Sequence, residues 1–284
     1  MGVEDVQTLA QVPITFEVAD GGSEHAPLVV GSLGGVSTRL VLDTGSDVHL
    51  LTKELVDHLG LEFADGEEGT DHSGVTMPSW TVEDVACALG GVELVLRDIV
   101  AIPAPRSFPH WGIGGILSPQ HLHESACTVI DLVADELLLV DGSDDYIAAW
   151  LEERAQTMTT LRLARDATFA GVVVRASIRP HAEIPTMLNT GGMRTEFSAD
   201  AVPGVKGVAP ERLGGGVSGA DVMGANAGEA TLVVAGHDVR VPALAVRTSM
   251  HHPQGMVGMD VLPGSILAVS RDTRRPVFWQ IPAR

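Results

Sequence analysis

Cysteine, aromatic side chains and positive charge are all scarce in this chain of 284 residues. Two cysteines, Cys87 and Cys127, exclude a disulfide framework and leave reduced buried thiols as the default, with a single bridge as the alternative. Only 18 Lys and Arg stand against 37 Asp and Glu, a formal charge of −19 that repels phosphate backbones and anionic surfaces. Neither nucleic acid nor membrane is therefore expected as a partner. No run approaches the roughly 20 apolar residues of a membrane helix, and the segment Met1 to Ala10 lacks both a basic start and an apolar stretch. A cytoplasmic location is the expectation, although a secreted chain trimmed of its signal peptide would read the same. With 45% hydrophobic and 19% charged residues, the composition is that of a soluble globular protein, one large domain or two lobes.

What the chain does have is an internal repeat. Ser37-Thr38-Arg39-Leu40-Val41-Leu42-Asp43-Thr44-Gly45-Ser46 nearly returns as Glu183-Ile184-Pro185-Thr186-Met187-Leu188-Asn189-Thr190-Gly191-Gly192. Gly91 matches Gly236, and Gly115 in Gly112-Ile113-Gly114-Gly115-Ile116 matches Gly258 in Gly255-Met256-Val257-Gly258-Met259. Landmarks at a nearly constant offset mark a duplicated unit. Each unit consists of short β-branched or alternating runs punctuated by glycine, the grammar of antiparallel strands and hairpins. The first unit offers strands at 28–30, 39–42, 82–89, 92–96 and 136–140. The second offers them at 172–176, 186–188, 230–234, 239–241 and 266–269. Leu50, Leu51, Leu55 and Leu59 before Gly60 predict a short helix. Acidic residues at its start and Arg154 near its end predict a connecting helix from Asp144. The expected organisation is an N-terminal lobe at 1–145, a connecting helix at 146–157 and a C-terminal lobe at 158–284.

An apolar strand that delivers Asp-Thr-Gly twice to one place suits paired-carboxylate hydrolysis. Two close acids share one proton, so one takes a proton from water while the other donates to a scissile carbonyl. Glycine after Asp-Thr permits the sharp turn that brings amides under the carboxylate. Threonine supplies a hydroxyl that can be satisfied across an interface. The downstream glycines allow a strand to approach each loop closely.

Val41 to Ser46, followed by Leu50 to Leu61 and Gly112 to Leu117, resembles the retropepsin-like aspartic proteases of bacteria. The two-copy layout is similar to that of single-chain pepsin-type enzymes. The resemblance runs from about Pro27 to Trp279. It implies an all-β, bilobal aspartic-protease fold, with two pseudo-two-fold related β lobes and a cleft between them. It also implies that Asp43 is catalytic, that Asn189 holds the other catalytic position, and that Gly45, Ser46 and Gly191 shape the loops. Thr44 and Thr190 would grip across the lobes. A flap from each lobe would cover the cleft, with candidates at Gly69 to Pro78 and Gly214 to Gly224. The sequence departs from the family in three ways: neither flap carries a tyrosine, the chain's one being Tyr146; Gly192 lacks the hydroxyl of Ser46; and Asn189 replaces an aspartate. Three readings of Asn189 stand open: an inactivating exchange of a catalytic aspartate, a natural pseudoprotease that still binds peptides, or a slow asymmetric enzyme with Asp43 as base.

The remaining motifs have plainer readings. His121-Leu122-His123-Glu124 and His251-His252 lack a third ligand at recognisable spacing, so neither metal nor cofactor is expected. Gly214-Gly215-Gly216-Val217-Ser218-Gly219 lacks the Gly-Lys-Ser/Thr ending of a phosphate loop. Ser46 has no Gly-X-Ser-X-Gly elbow around it. Met187, Met256 and Met259 are expected in the core, and Met193 and Met223 near the cleft. Asp47 and Asp260 are expected in turns or at the surface. The expected function is that of an aspartic-type peptidase acting as a monomer on a peptide or protein substrate, and the alternative is a catalytically silent peptide-binding module.

Overall fold

The computed structural model describes residues 6–18, 25–154, 158–164, 171–204, 209–248, 250, 253–272 and 274–280. The protein is all-β and two-lobed. In the first lobe the hydrogen-bonded strand order is Val92–Leu96, Val85–Leu89, His25–Leu33, Val36–Leu42, Ile113–Leu117, His49–Thr52, Ile99–Ile102, Trp80–Val82, Phe63–Asp65. The second lobe repeats it as His237–Val241, Ala230–Val234, Val173–Ile178, Ile184–Leu188, Gly255–Val257, Glu196–Ser198, Ala245–Arg247, Asp221–Asn226, Glu211–Gly215. The outer hairpins match in turn chemistry too. Gly90 and Gly91 lie at φ 57° and 81°, and Ala235 and Gly236 at 49° and 83°. Positive φ at both central residues is what a two-residue hairpin of the right twist requires. Glycine meets that demand without strain, whereas Ala235 holds a left-handed conformation that its Cβ disfavours.

The register corrects one landmark of the repeat. Leu117 pairs with Leu42 and Gly115 with Leu40, while Val257 pairs with Leu188 and Gly255 with Thr186. The structural counterpart of Gly115 is therefore Gly255. The counterpart of Gly258, placed opposite Gly115 by sequence, is Ser118. Close approach explains why glycine recurs here: a Cβ on Gly115 would run into the Leu50 carbonyl and lie 2.9 Å from the Leu51 side chain. On Gly255 it would lie 2.8 Å from Thr186 and 2.9 Å from Phe197.

A third sheet joins the halves. Its order is Gln7–Pro13, Glu136–Asp141, Cys127–Asp131, Ile266–Val269, Val277–Gln280, Thr159–Leu161, three strands from each half. The seam is antiparallel, with Thr128 opposite Val269 and Asp131 opposite Ile266. The helix Asp144–Arg154 covers this sheet, setting Ile147 and Leu151 against Val129, Leu138, Val140, Ile266, Ala268 and Phe278. Burying side chains of this size contributes about 1.5–3 kcal/mol each. Cys87 and Cys127 are both buried free thiols, one in each core, and burial pushes each up to about 12.

Three local expectations change. Leu50 and Leu51 lie in the strand His49–Thr52, and the helix spans only Lys53–Leu59, with the Thr52 hydroxyl accepting from the Leu55 amide at 3.3 Å and Gly60 closing it at φ 66°. Two strands, Trp80–Val82 and Val85–Leu89, divide the run 82–89, because Val82 pairs with Ile99 and Val85 with Leu96. The connecting helix begins at Asp144, two residues before the expected 146, and is described as far as Arg154, since 155–157 lie outside the described residues. Among the described residues no helix is long and apolar enough to cross a membrane.

Candidate active site

Each Asp/Asn-Thr-Gly loop leaves the end of a central strand and is pinned by its neighbour. The Asp43 amide donates to the Leu117 carbonyl at 2.9 Å, and the Asn189 amide to that of Val257 at 2.9 Å. Sharp turns follow, from the Ser46 amide to the Asp43 carbonyl and from the Gly192 amide to that of Asn189. The loops then lock reciprocally. The Thr44 hydroxyl donates to the Leu188 carbonyl at 2.6 Å and accepts from the Thr190 amide at 3.1 Å. The Thr190 hydroxyl donates to the Leu42 carbonyl at 2.8 Å and accepts from the Thr44 amide at 3.1 Å. Both threonines are fully buried.

This lock sets Asp43 and Asn189 each against the other loop's glycine. A Cβ on Gly45 would lie 2.7 Å from Asn189 Cγ, and one on Gly191 2.5 Å from Asp43 Oδ2. Asp43 Oδ1 accepts the Gly45 amide at 2.7 Å, and Asn189 Oδ1 accepts the amides of Gly191 at 2.8 Å and Gly192 at 3.0 Å. Asn189 Nδ2 donates to the Met256 sulfur at 3.1 Å. Met256 corresponds by register to Ile116, which offers no acceptor. Ser46 turns its hydroxyl to the Val48 carbonyl at 2.7 Å, away from Asp43.

Desolvation raises the Asp43 carboxyl above its ordinary value, and the amides of Gly45, Gly191 and Ser46 and the nearby His72 only partly offset it. Ionisation is thus a cost at neutral pH. The stability from this group is present below its unfolded value of 3.8 and lost as pH rises through the folded value.

Sequence reasoning missed the supports beneath the loops. His49 is buried: Nδ1 accepts the Ser118 amide at 3.2 Å, and Nε2 lies 3.3 Å from the His121 carbonyl. Thr195, its counterpart, accepts the Gly258 amide at 3.2 Å and donates to Asp260 at 2.7 Å. Asp260 thus holds the second loop's support, beyond the turn or surface role expected of it, and burial raises its carboxyl. The Ser118 hydroxyl and the Gln120 amide both donate to the Ser46 carbonyl at 2.7 Å. His123 accepts the backbone amides of Ser125 and Ala126, and His251-His252 lie outside the described residues. Met193 is partly buried against the main core, whereas Met223 stands exposed on the second flap.

His49 yields a pH prediction. Burial lowers it from 6.5 to about 4, so between those values the unfolded chain binds a proton that the folded chain refuses. Stability from neutral His49 is complete above pH 6.5 and is lost as pH falls to about 4, by up to about 3 kcal/mol. Urea unfolding at several pH values should show this slope, and His49→Asn should flatten it. An equal slope in the variant would contradict the assignment.

The two candidate flaps form hairpins. One pairs Gly69 with Met77 and Thr70 with Thr76; the other pairs Glu211–Gly215 with Asp221–Asn226. Their tips meet: Asp71 accepts the Ser218 amide at 2.9 Å, and the hydroxyls of Ser73 and Ser218 lie 3.4 Å apart. Partial burial pushes the Asp71 carboxyl up, but hydrogen bonds from Ser73, Ser218 and Val75 together outweigh it and hold the group low.

A scan against protein-family models found no match for this sequence, and a search of curated proteins found no similar one.

Proposed function

We propose that the chain is an aspartic-peptidase-type protein whose cleft takes an extended polypeptide across Asp43 and Asn189. The observation that carries this reading is the reciprocal packing of Asp43 on Gly191 and Asn189 on Gly45, locked by the paired threonine hydroxyls. A desolvated carboxylate on amide donors is a base for water, and a neutral hydrogen-bond donor opposite it can receive a carbonyl oxygen. Water attack on a peptide carbonyl forms one C–O bond as the carbonyl π bond opens, sends one water proton to Asp43 and needs a proton delivered to the carbonyl oxygen; collapse of the gem-diol then breaks the C–N bond as the Asp43 proton passes to the leaving nitrogen. Asn189 offers a hydrogen bond there but no transferable proton. The bond from Asn189 Nδ2 to Met256 favours the second reading, a catalytically silent peptide binder, because the second lobe supplies an acceptor suited to an amide. Asn189→Asp, assayed on an unfolded protein, tests the proposal. Cleavage abolished by a further Asp43→Asn supports the peptidase-type site, and a variant that neither cuts nor binds peptides overturns it.

A further inference from the structure

The two halves are built alike beside the Asp43 and Asn189 loops but differ at three equivalent positions. In the first lobe Ile116 sits opposite Leu50, and Ile102 opposite Thr52. In the second lobe Met256 sits opposite Glu196, and Arg247 opposite Ser198. Register therefore equates Leu50 with Glu196 and Ile102 with Arg247. The flap tips correspond as well: Asp71-His72-Ser73-Gly74 turns in one hairpin where Gly216-Val217-Ser218-Gly219 turns in the other.

Each tip residue crosses to the opposite lobe. Val217 packs on an apolar cluster that includes Leu28, Val41, Leu50, Phe108 and Ile116. His72 reaches the ion pair instead: its Nε2 lies 2.9 Å from Glu196 Oε2, and Arg247 Nη1 lies 2.9 Å from Nε2 and 3.4 Å from Nδ1. Glu196 and Arg247 are 3.4 Å apart, with side chains only 6% and 8% exposed, and Arg247 Nε is buried without a partner among the described residues. Leu50, Ile102 and Val217 thus correspond to the ionisable Glu196, Arg247 and His72. Glu196 is joined to the candidate catalytic pair through its cross-strand neighbour Met256, which touches Asn189.

We propose that Glu196 and Arg247 form a polar subsite for the residue on one side of the bound peptide's central bond, while Leu50 and its neighbours form an apolar subsite for the residue on the other. This rests on the peptide-cleft reading. The flap tips occupy both subsites in the closed form, and the peptide replaces them. His72 shows what the polar subsite accepts, because an imidazole with its proton on Nε2 donates to the Glu196 carboxylate and keeps Nδ1 as an acceptor toward the Arg247 guanidinium. Glutamine, asparagine and histidine share that capacity. A cation there meets Arg247, an anion meets Glu196, and an apolar side chain leaves buried polar groups unpaired.

The test uses peptides with a hydroxyethylene isostere at the central bond, leucine on one side and a varied residue on the other, in both orientations. Binding to the unaltered chain is measured by calorimetry. In one orientation glutamine, asparagine or histidine should bind about tenfold or more tighter than leucine, lysine or glutamate. Glu196→Leu with Arg247→Ile removes the pair together, which a fold tolerates better than removing one partner, and should reverse the preference to leucine. Tightest binding with leucine on both sides, or with lysine or glutamate, would overturn the polar subsite while leaving the cleft reading intact. Should no isostere peptide bind, the cleft reading itself falls, and the subsite with it.

Discussion

Asn189→Asp is expected to raise cleavage of an unfolded protein substrate by at least about a hundredfold, the lower range for a positioned general acid. The site already holds the other components: a desolvated Asp43, amides beneath both side chains and glycines that let the two come together. A carboxyl at 189 adds the transferable proton. Two carboxylates at this range do not ionise together, so Asp43, already raised by burial, and the new acid should share one proton. Activity should peak at acid pH and fall on both sides, as the pair loses its last proton or gains a second. Asp43→Asn in the same background should return the rate to zero. A variant that binds peptides but stays inert would establish the silent-binder reading.

Thr44→Val is expected to have the largest effect on stability. Its hydroxyl serves two groups of the other half, the Leu188 carbonyl and the Thr190 amide, and both lose their partner together. Orphaning a buried polar group costs about 1–3 kcal/mol, so the single variant should lose about 2–5 kcal/mol in urea unfolding. Thr190→Val should cost a similar amount through the Leu42 carbonyl and the Thr44 amide. The double variant should lose less than the sum, because the first loss already loosens the loop contact in which the second hydroxyl sits. Unchanged stability would mean that the hydroxyls exchange their partners for water without loss.

The residues legible in the sequence were those whose identity geometry forces. Only glycine fits where Gly45 and Gly191 lie against the facing side chains, and only a small hydroxyl residue serves at 44 and 190. The lobes' strand grammar and the flap hairpins were legible for the same reason. The supports were not, because His49 and Thr195 perform one task with unlike side chains, so the repeat gives no sign of their equivalence. Leu50 and Leu51 carry apolar spacing that suits helix and strand alike, and pairing with Ile99–Ile102 and Ile113–Leu117 decides for strand. The shared six-stranded sheet joins segments more than a hundred residues apart, which no local pattern encodes. The two flap tips read alike as turns, while their contacts with Glu196 and Leu50 depend on the assembled halves.

Asp43 and Asn189 are proposed to form the floor of one peptide site. Titrating the unaltered, isotope-labelled chain with an isostere peptide, and following backbone amides by NMR, tests it most directly. The amides of Gly45 and Gly191 should shift together at one-to-one stoichiometry, along with those of the flap tips at Ser73 and Ser218. Peptides that bind while leaving both loops unmoved, or that shift only one of them, would contradict the proposal.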